Sequence, residues 1–198
     1  MALTLATIRE RTRYKLGDLQ YPRLQWTDDD IDQAVSDAVD AFSDKLPSRQ
    51  PPATLPISVI NYRATVDVST LTDLLVALAV EYPIGTRYYV PSYVGFLYLR
   101  ESNELLLDYR AREGEDAANA IVHWGKKHTC IEASGTIPDG HLGLISDLAA
   151  ARILATYAVR DPDVIQQSIL LDATAHRELS AVMPEGSVHK TIMRSQWL

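Results

Sequence analysis

The sequence predicts an α+β chain: a discontinuous helical bundle of N- and C-terminal helices, an inserted small antiparallel β-sandwich or barrel, and an extended C-terminal arm. Three observations predict it. Apolar residues recur at helical spacing before residue 50 and again after residue 138. Between these stretches, prolines at 51, 52, 56, 83 and 91 break any long helix, and most of the tyrosines fall here. Residues 186–198 show no helix cap or turn signal, yet they carry Val188, Ile192, Met193, Trp197 and Leu198. The expected divisions are 1–50 with 139–185 for the helices, 51–138 for the β insertion and 186–198 for the arm.

The first helix is expected over residues 3–16, where Leu5, Ile8, Thr12 and Leu16 share a face and Gly17-Asp18 supplies the stop. The second is the clearest local signal. Thr27 is placed to cap it, and Asp28 to Asp30 occupy the first turn, where the helix dipole favours anions. Asp30 stands in for the Glu of a capping box, and Trp26 can pack on Ile31 as a hydrophobic staple. Ile31, Ala34, Val35, Ala38 and Phe42 form the apolar face, and Pro47 ends it.

In the insertion, Leu74 to Tyr82 is a short apolar run stopped by Pro83-Ile84-Gly85, which favours strand over helix. Tyr93 to Leu99 and Leu105 to Tyr109 flank a polar turn and predict a hairpin, and Ala120 to Trp124 predicts a further strand. Helices return with Leu142, Ile145, Leu148 and Ala149, running to about Val159 and rich in alanines that permit close helix approach. Asp161-Pro162 has the residues of a helix start, and the last helix continues through Ile165, Ile169, Ala173 and His176 to about Val182.

Composition narrows the function. No apolar run reaches the roughly 18–20 residues that span a bilayer, so a soluble chain with no membrane partner is expected. A single cysteine, Cys130, excludes an internal disulfide and a thiolate zinc cluster, which fits a reducing compartment. The net charge of −7 and pI near 5.2 argue against tight binding to duplex DNA, which demands a basic face.

Chemistry-bearing motifs are scarce. The chain has no phosphate loop, dinucleotide fingerprint, nucleophile elbow or HExxH, so no catalytic residue, cofactor or metal is expected. His123, His128 and Cys130 in HWGKKHTC invite a metal reading, but a fourth ligand has no candidate nearby, and ordinary strand and turn residues are favoured. Asp28 to Asp30, and Asp161 with Asp163, read as first-turn acids at helix starts. Tyr88, Tyr89, Tyr93 and Tyr98 have few basic neighbours, which favours half-buried sheet surface over base stacking.

Two surfaces remain. Arg9, Arg11, Arg13 and Lys15 give the first helix a basic side, which either pairs with neighbouring acids or contacts an acidic partner or DNA in a channel. The spaced apolar anchors of 186–198 are the mark of an arm that docks on another chain, the alternative being that it folds back on its own domain.

The pattern resembles the head–tail connector (adaptor) proteins of tailed double-stranded DNA bacteriophages. The residues that carry the resemblance are Lys15-Leu16-Gly17-Asp18, the Trp26-Thr27-Asp28-Asp29-Asp30-Ile31-Asp32 opening of a long helix, Val80 to Gly85, and Thr136-Ile137-Pro138 before an alanine-rich helix. It covers nearly the full length through short motifs. What it implies is a non-enzymatic structural virion protein of the neck, assembled in the host cytoplasm. Such proteins form a closed ring, of about twelve subunits, beneath the portal. They extend the DNA channel, let the duplex pass without specific binding, and seat a stopper or tail-completion protein. The arm residues would dock on the portal or the next subunit. Other readings are a different neck or tail component of the stopper kind, or a small ligand-binding module on the β segment using His123, His128 or His141.

Overall fold

The computed structural model describes residues 2–18, 26–82, 84, 92–110, 118–157 and 162–181. These form a mixed α/β structure of four helices and a nearly closed antiparallel sheet. They divide into two compact units, one from residues up to Ser48 with Lys127 onward, the other from Arg49 to Lys126. The stretch 127–138, expected in the β insertion, lies in the first unit.

In the first unit, α1 (Leu5–Leu16) is capped by the Thr4 hydroxyl accepting from Thr7 N at 3.3 Å. Gly17 ends it at φ 69°, the left-handed value a C-terminal glycine supplies, with Asp18 N donating back to Arg13 O at 2.9 Å. The second helix, α2 (Asp28–Lys45), has a complete capping box: Asp30 N donates to Thr27 Oγ1, and Thr27 N to Asp30 Oδ2, both at 3.2 Å. Trp26 and Ile31 are both buried in the same core.

The third helix, α3 (Leu142–Tyr157), contacts α1, α2 and α4 (Pro162–Ala181). It is buried nearly all round. Ile145, Ala149 and Ala150 are fully enclosed, and the run Ala149-Ala150-Ala151 lets other helices approach closely. Ser168 Oγ of α4 donates to Ala151 O at 3.0 Å, tying the two backbones.

The helix expected through Ile165, Ile169, Ala173 and His176 is α4. Its buried face is Val164, Ser168, Leu171, Ala175 and Leu179, whereas Ile165, Ile169, Ala173 and His176 face outward. The run Ile169-Leu170-Leu171 is apolar on two sides of the helix, so periodicity alone did not select the buried one.

In the second unit, residues β2 (Ala53–Ile60), β3 (Arg63–Asp67), β4 (Leu74–Glu81), β7 (Glu104–Arg110) and β8 (Asn119–Lys126) pair in the order β4-β8-β2-β3-β7. The short β1 (Ser48–Arg49) pairs β8. Residues 93–99 close the circuit. Their first part, β5 (Tyr93–Val94), pairs β4, and their second, β6 (Phe96–Leu99), pairs β7. Between them Gly95 O accepts from Asp108 N at 2.7 Å. One strand therefore bridges both ends of the sheet, and the expected sandwich or barrel resolves to a nearly closed circuit. Inside it, Ile57, Val66, Val80, Leu105, Val122 and Ala120 form the core. The rings of Tyr82 and Tyr109, from opposite ends of the strand order, meet edge to face at 4.9 Å.

The remaining strands, β9 (Cys130–Ile131) and β10 (Ser134–Gly135), make a small hairpin in the helical unit. The N-terminal segment lies against the chain leaving it: Leu3 N donates to Ile137 O at 2.8 Å, and Ala2 bridges Pro138. A Cβ at Gly135 would sit 2.0 Å from Leu3 O, so this approach requires glycine.

Candidate functional site

Three of the four basic residues of α1 meet acids of α2, α3, the β9–β10 hairpin and the exit of α1 itself. Arg9 forks onto Asp32, Nε donating to Oδ1 at 2.7 Å and Nη2 to Oδ2 at 2.6 Å, and Nη2 also reaches Glu132 Oε1 at 2.6 Å. The hydrogen bond to Asp32, reinforced by Glu132, raises the Arg9 pKa well above its ordinary value, so its charge is permanent. Arg13 donates to Asp18 Oδ2, to Asp28 Oδ1 at 2.7 Å and to Trp26 O at 3.2 Å. The Arg13 hydrogen bond holds the Asp28 carboxyl below its usual range. Lys15 Nζ lies 2.7 Å from Oδ1 of buried Asp147, an off-axis ion pair rather than an aligned hydrogen bond.

Arg9, Arg13 and Lys15, singled out for contact with a channel or an acidic partner, are thus engaged by acids of their own unit. A guanidinium forked onto a carboxylate fixes the angle between the helices that carry them. Arg11 differs: it is exposed, its guanidinium 5.0 Å from the Tyr14 ring.

His128 is a second polar cluster. Its backbone N–H donates to Ser43 Oγ at 2.9 Å, and its ring bridges two elements. Nε2 stands 3.0 Å from Leu46 O, which only accepts, so Nε2 carries the proton. Nδ1 then accepts from the Thr136 hydroxyl at 3.0 Å. Phe42 packs 5.3 Å from this ring and 4.9 Å from that of His141. Burial pushes the His128 pKa down, and the ring is neutral.

His128 and Cys130 belong to the helical unit and His123 to the β unit. Burial pushes the Cys130 thiol up, away from thiolate character. His123 lies 6.0 Å from the Tyr93 ring. Among the described residues, no group of three His, Cys, Asp or Glu side chains could hold a metal ion. Among the same residues no helix is long and apolar enough to cross a membrane. Tyr98 donates to Asn103 Oδ1 at 3.2 Å, and Tyr88, Tyr89 and Asp161 lie outside the described residues.

The arm residues Val188, Ile192, Met193, Trp197 and Leu198 also lie outside the described residues. What sequence reasoning missed is the acid side of the α1 network, Asp32, Glu132 and Asp147, which comes from separate parts of the chain. It also missed the exposed apolar stripe of α4, where Ile165, Ile169 and Leu170 are 42%, 62% and 68% exposed. No known protein family matches the chain, and no curated protein is similar to it.

Proposed function

We propose that the protein is a head–tail adaptor of a tailed double-stranded DNA bacteriophage, a structural and non-enzymatic component of the virion neck. In this reading the four helices are one discontinuous bundle, the nearly closed sheet is an insertion in it, and residues 186–198 are an arm. Copies stand side by side in a ring of about twelve beneath the portal. The ring extends the channel through which DNA passes and seats a stopper or tail-completion protein.

The observation that carries this reading is the joint made by Arg13. The two stretches that most resemble adaptors are the exit of α1, ending at Asp18, and the start of α2, from Trp26 to Asp32. Arg13 binds Asp18, the Trp26 carbonyl and Asp28 at once, so the two motifs form one physical unit. The charge balance agrees with it. A channel through which DNA must slide needs weak phosphate affinity, and this chain is acidic, with three of its four α1 cations engaged by its own carboxylates.

The test is reconstitution with the cognate portal, imaged by cryo-electron microscopy. A closed ring of this protein against the portal's tail-side face is expected. Density for it beyond a different, intervening ring would assign it to the stopper position instead, and failure to bind any neck component would refute both. Removal of residues 187–198 is expected to leave the fold intact and abolish assembly onto the portal.

A further inference from the structure

The β2–β3 hairpin sets three exposed side chains in one row across three strands. Ile60 pairs with Arg63, and Arg63 pairs in turn with Arg110 of β7. All three face solvent, so they share one side of the sheet. Tyr62, in the turn beside them, is exposed as well, its ring 5.9 Å from the Arg110 guanidinium. Among the described residues neither arginine makes an ion pair, although exposed Asp108 lies on the same strand as Arg110.

Two local costs meet at this spot. Like charges directly opposite each other on neighbouring strands repel. Tyr62 holds φ 64°, where a bulky side chain is strained and glycine is not. The β3–β7 register also shifts between Arg63 and Thr65, an irregularity of the kind that re-aims a side chain. Strain of this sort gathers where a surface serves a contact, and the contact offsets it.

The chemistry of the patch selects the occupant. Two guanidiniums side by side fit two carboxylates, each in a forked pair. Tyr and Arg are over-represented at protein–protein contacts, and Ile60, 67% exposed, adds an apolar rest. A polyanion fits poorly. Duplex DNA is held by a broad basic face, whereas these two cations belong to a chain of net charge −7.

We propose that Arg63, Arg110, Tyr62 and Ile60 form a docking site for an acidic segment of a partner protein. Two carboxylates of that segment meet the arginines, and a neighbouring apolar side chain rests on Tyr62 and Ile60. The site lies wholly in the second unit and does not depend on the adaptor reading.

The probe is the end-capped peptide Glu-Ser-Glu-Ser-Leu-Ser-Leu, which presents its carboxylates and leucines on one side when extended. It is titrated into the ¹⁵N-labelled full chain at low salt, and amide shifts are followed. Shifts confined to residues 60–63 and 110 and their neighbours in the sheet are expected, and none with Gln in place of Glu. Arg63→Glu separates docking from a structural role. It turns a repelling pair into an attracting one, so the melting temperature should rise while peptide affinity falls about tenfold or more. Arg110→Gln, also an exposed change, should weaken the peptide without unfolding the chain. A lower melting temperature in Arg63→Glu, or peptide affinity kept in either variant, would overturn the proposal, as would shifts centred elsewhere or no shifts. Duplex DNA or inorganic phosphate moving the same amides at lower concentration than the peptide would also overturn it, assigning the arginines to a nucleic acid or a bare anion.

Discussion

Arg9 clamps Asp32 across 23 residues of sequence, with Nε and Nη2 donating in parallel to the two carboxylate oxygens at 2.7 and 2.6 Å. A planar fork matched to a carboxylate fixes direction as well as distance, so this pair sets how α1 lies on α2. Arg9→Ala is expected to cost about 1.5–3 kcal/mol by chemical denaturation, because it leaves a half-buried carboxylate short of its donors. Arg9→Lys should recover only part of that. If Arg9 instead served DNA in a channel, the Ala variant would keep its stability and lose salt-dependent DNA retention.

Gly135 permits the N-terminal segment to lie against the hairpin, since a Cβ there would sit 2.0 Å from the backbone oxygen of Leu3. Gly135→Ala must push that segment away and break the 2.8 Å bond from Leu3 N to Ile137 O. A loss of about 1–3 kcal/mol is expected, typical of overpacking. Hydrogen exchange at the Leu3 amide should accelerate more than exchange in α3.

The neutral His128 ring makes stability pH-dependent. Its folded pKa is lowered by burial relative to the unfolded value of about 6.5, so the unfolded chain binds the proton more readily. The contribution is complete above roughly pH 6.5 and is lost as pH falls below it. Phe42, Leu46, Thr136 and Ser43 face the residue with uncharged groups, and His141, whose ring also packs on Phe42, lowers the His128 pKa further. Denaturant midpoints measured between pH 5 and pH 8 should decline on the acid side, and His128→Gln should reduce that decline. An unchanged slope in the variant would assign the acid sensitivity elsewhere.

The turn between β2 and β3 holds Asn61 at φ 52° and Tyr62 at φ 64°. This two-residue turn with both angles positive suits Asn at the first position and Gly at the second. Tyr62 occupies the glycine position, is 58% exposed, and places its ring 5.9 Å from the Arg110 guanidinium. Tyr62→Gly is expected to raise stability by about 0.5–1 kcal/mol, since relief at a left-handed position outweighs an exposed ring contact. A thermal melt of the variant decides it.

Local physics explains which parts of the fold the sequence revealed. The start of α2 was legible because Thr27, Asp30, Trp26 and Ile31 are each read from their spacing, and capping chemistry acts within one turn. The glycine stop of α1 and the strand character of Leu74–Glu81 rest on equally local features. The outward face of α4 was not legible, because Ile169-Leu170-Leu171 offers an apolar residue to either side and only α3 decides between them. The basic side of α1 was visible as residue types, but its partners were not. Glu132 lies 123 residues from Arg9, and no periodicity relates them.

The sequence by itself therefore determined the four helices and the strands at Leu74–Glu81, Phe96–Leu99, Glu104–Arg110 and Asn119–Lys126, since these depend on neighbours a few residues away, whereas β2 and β3 were not read from it. It also determined the acidic balance that weighs against tight DNA binding. Tertiary structure alone decided that residues 93–99 bridge both ends of the sheet, that Arg9, Arg13 and Lys15 of α1 are engaged within their own unit, and that Ile165, Ile169 and Leu170 face outward. Each of these depends on which distant elements meet. Such meetings are set by the joint packing of whole faces, to which any one residue contributes only a part.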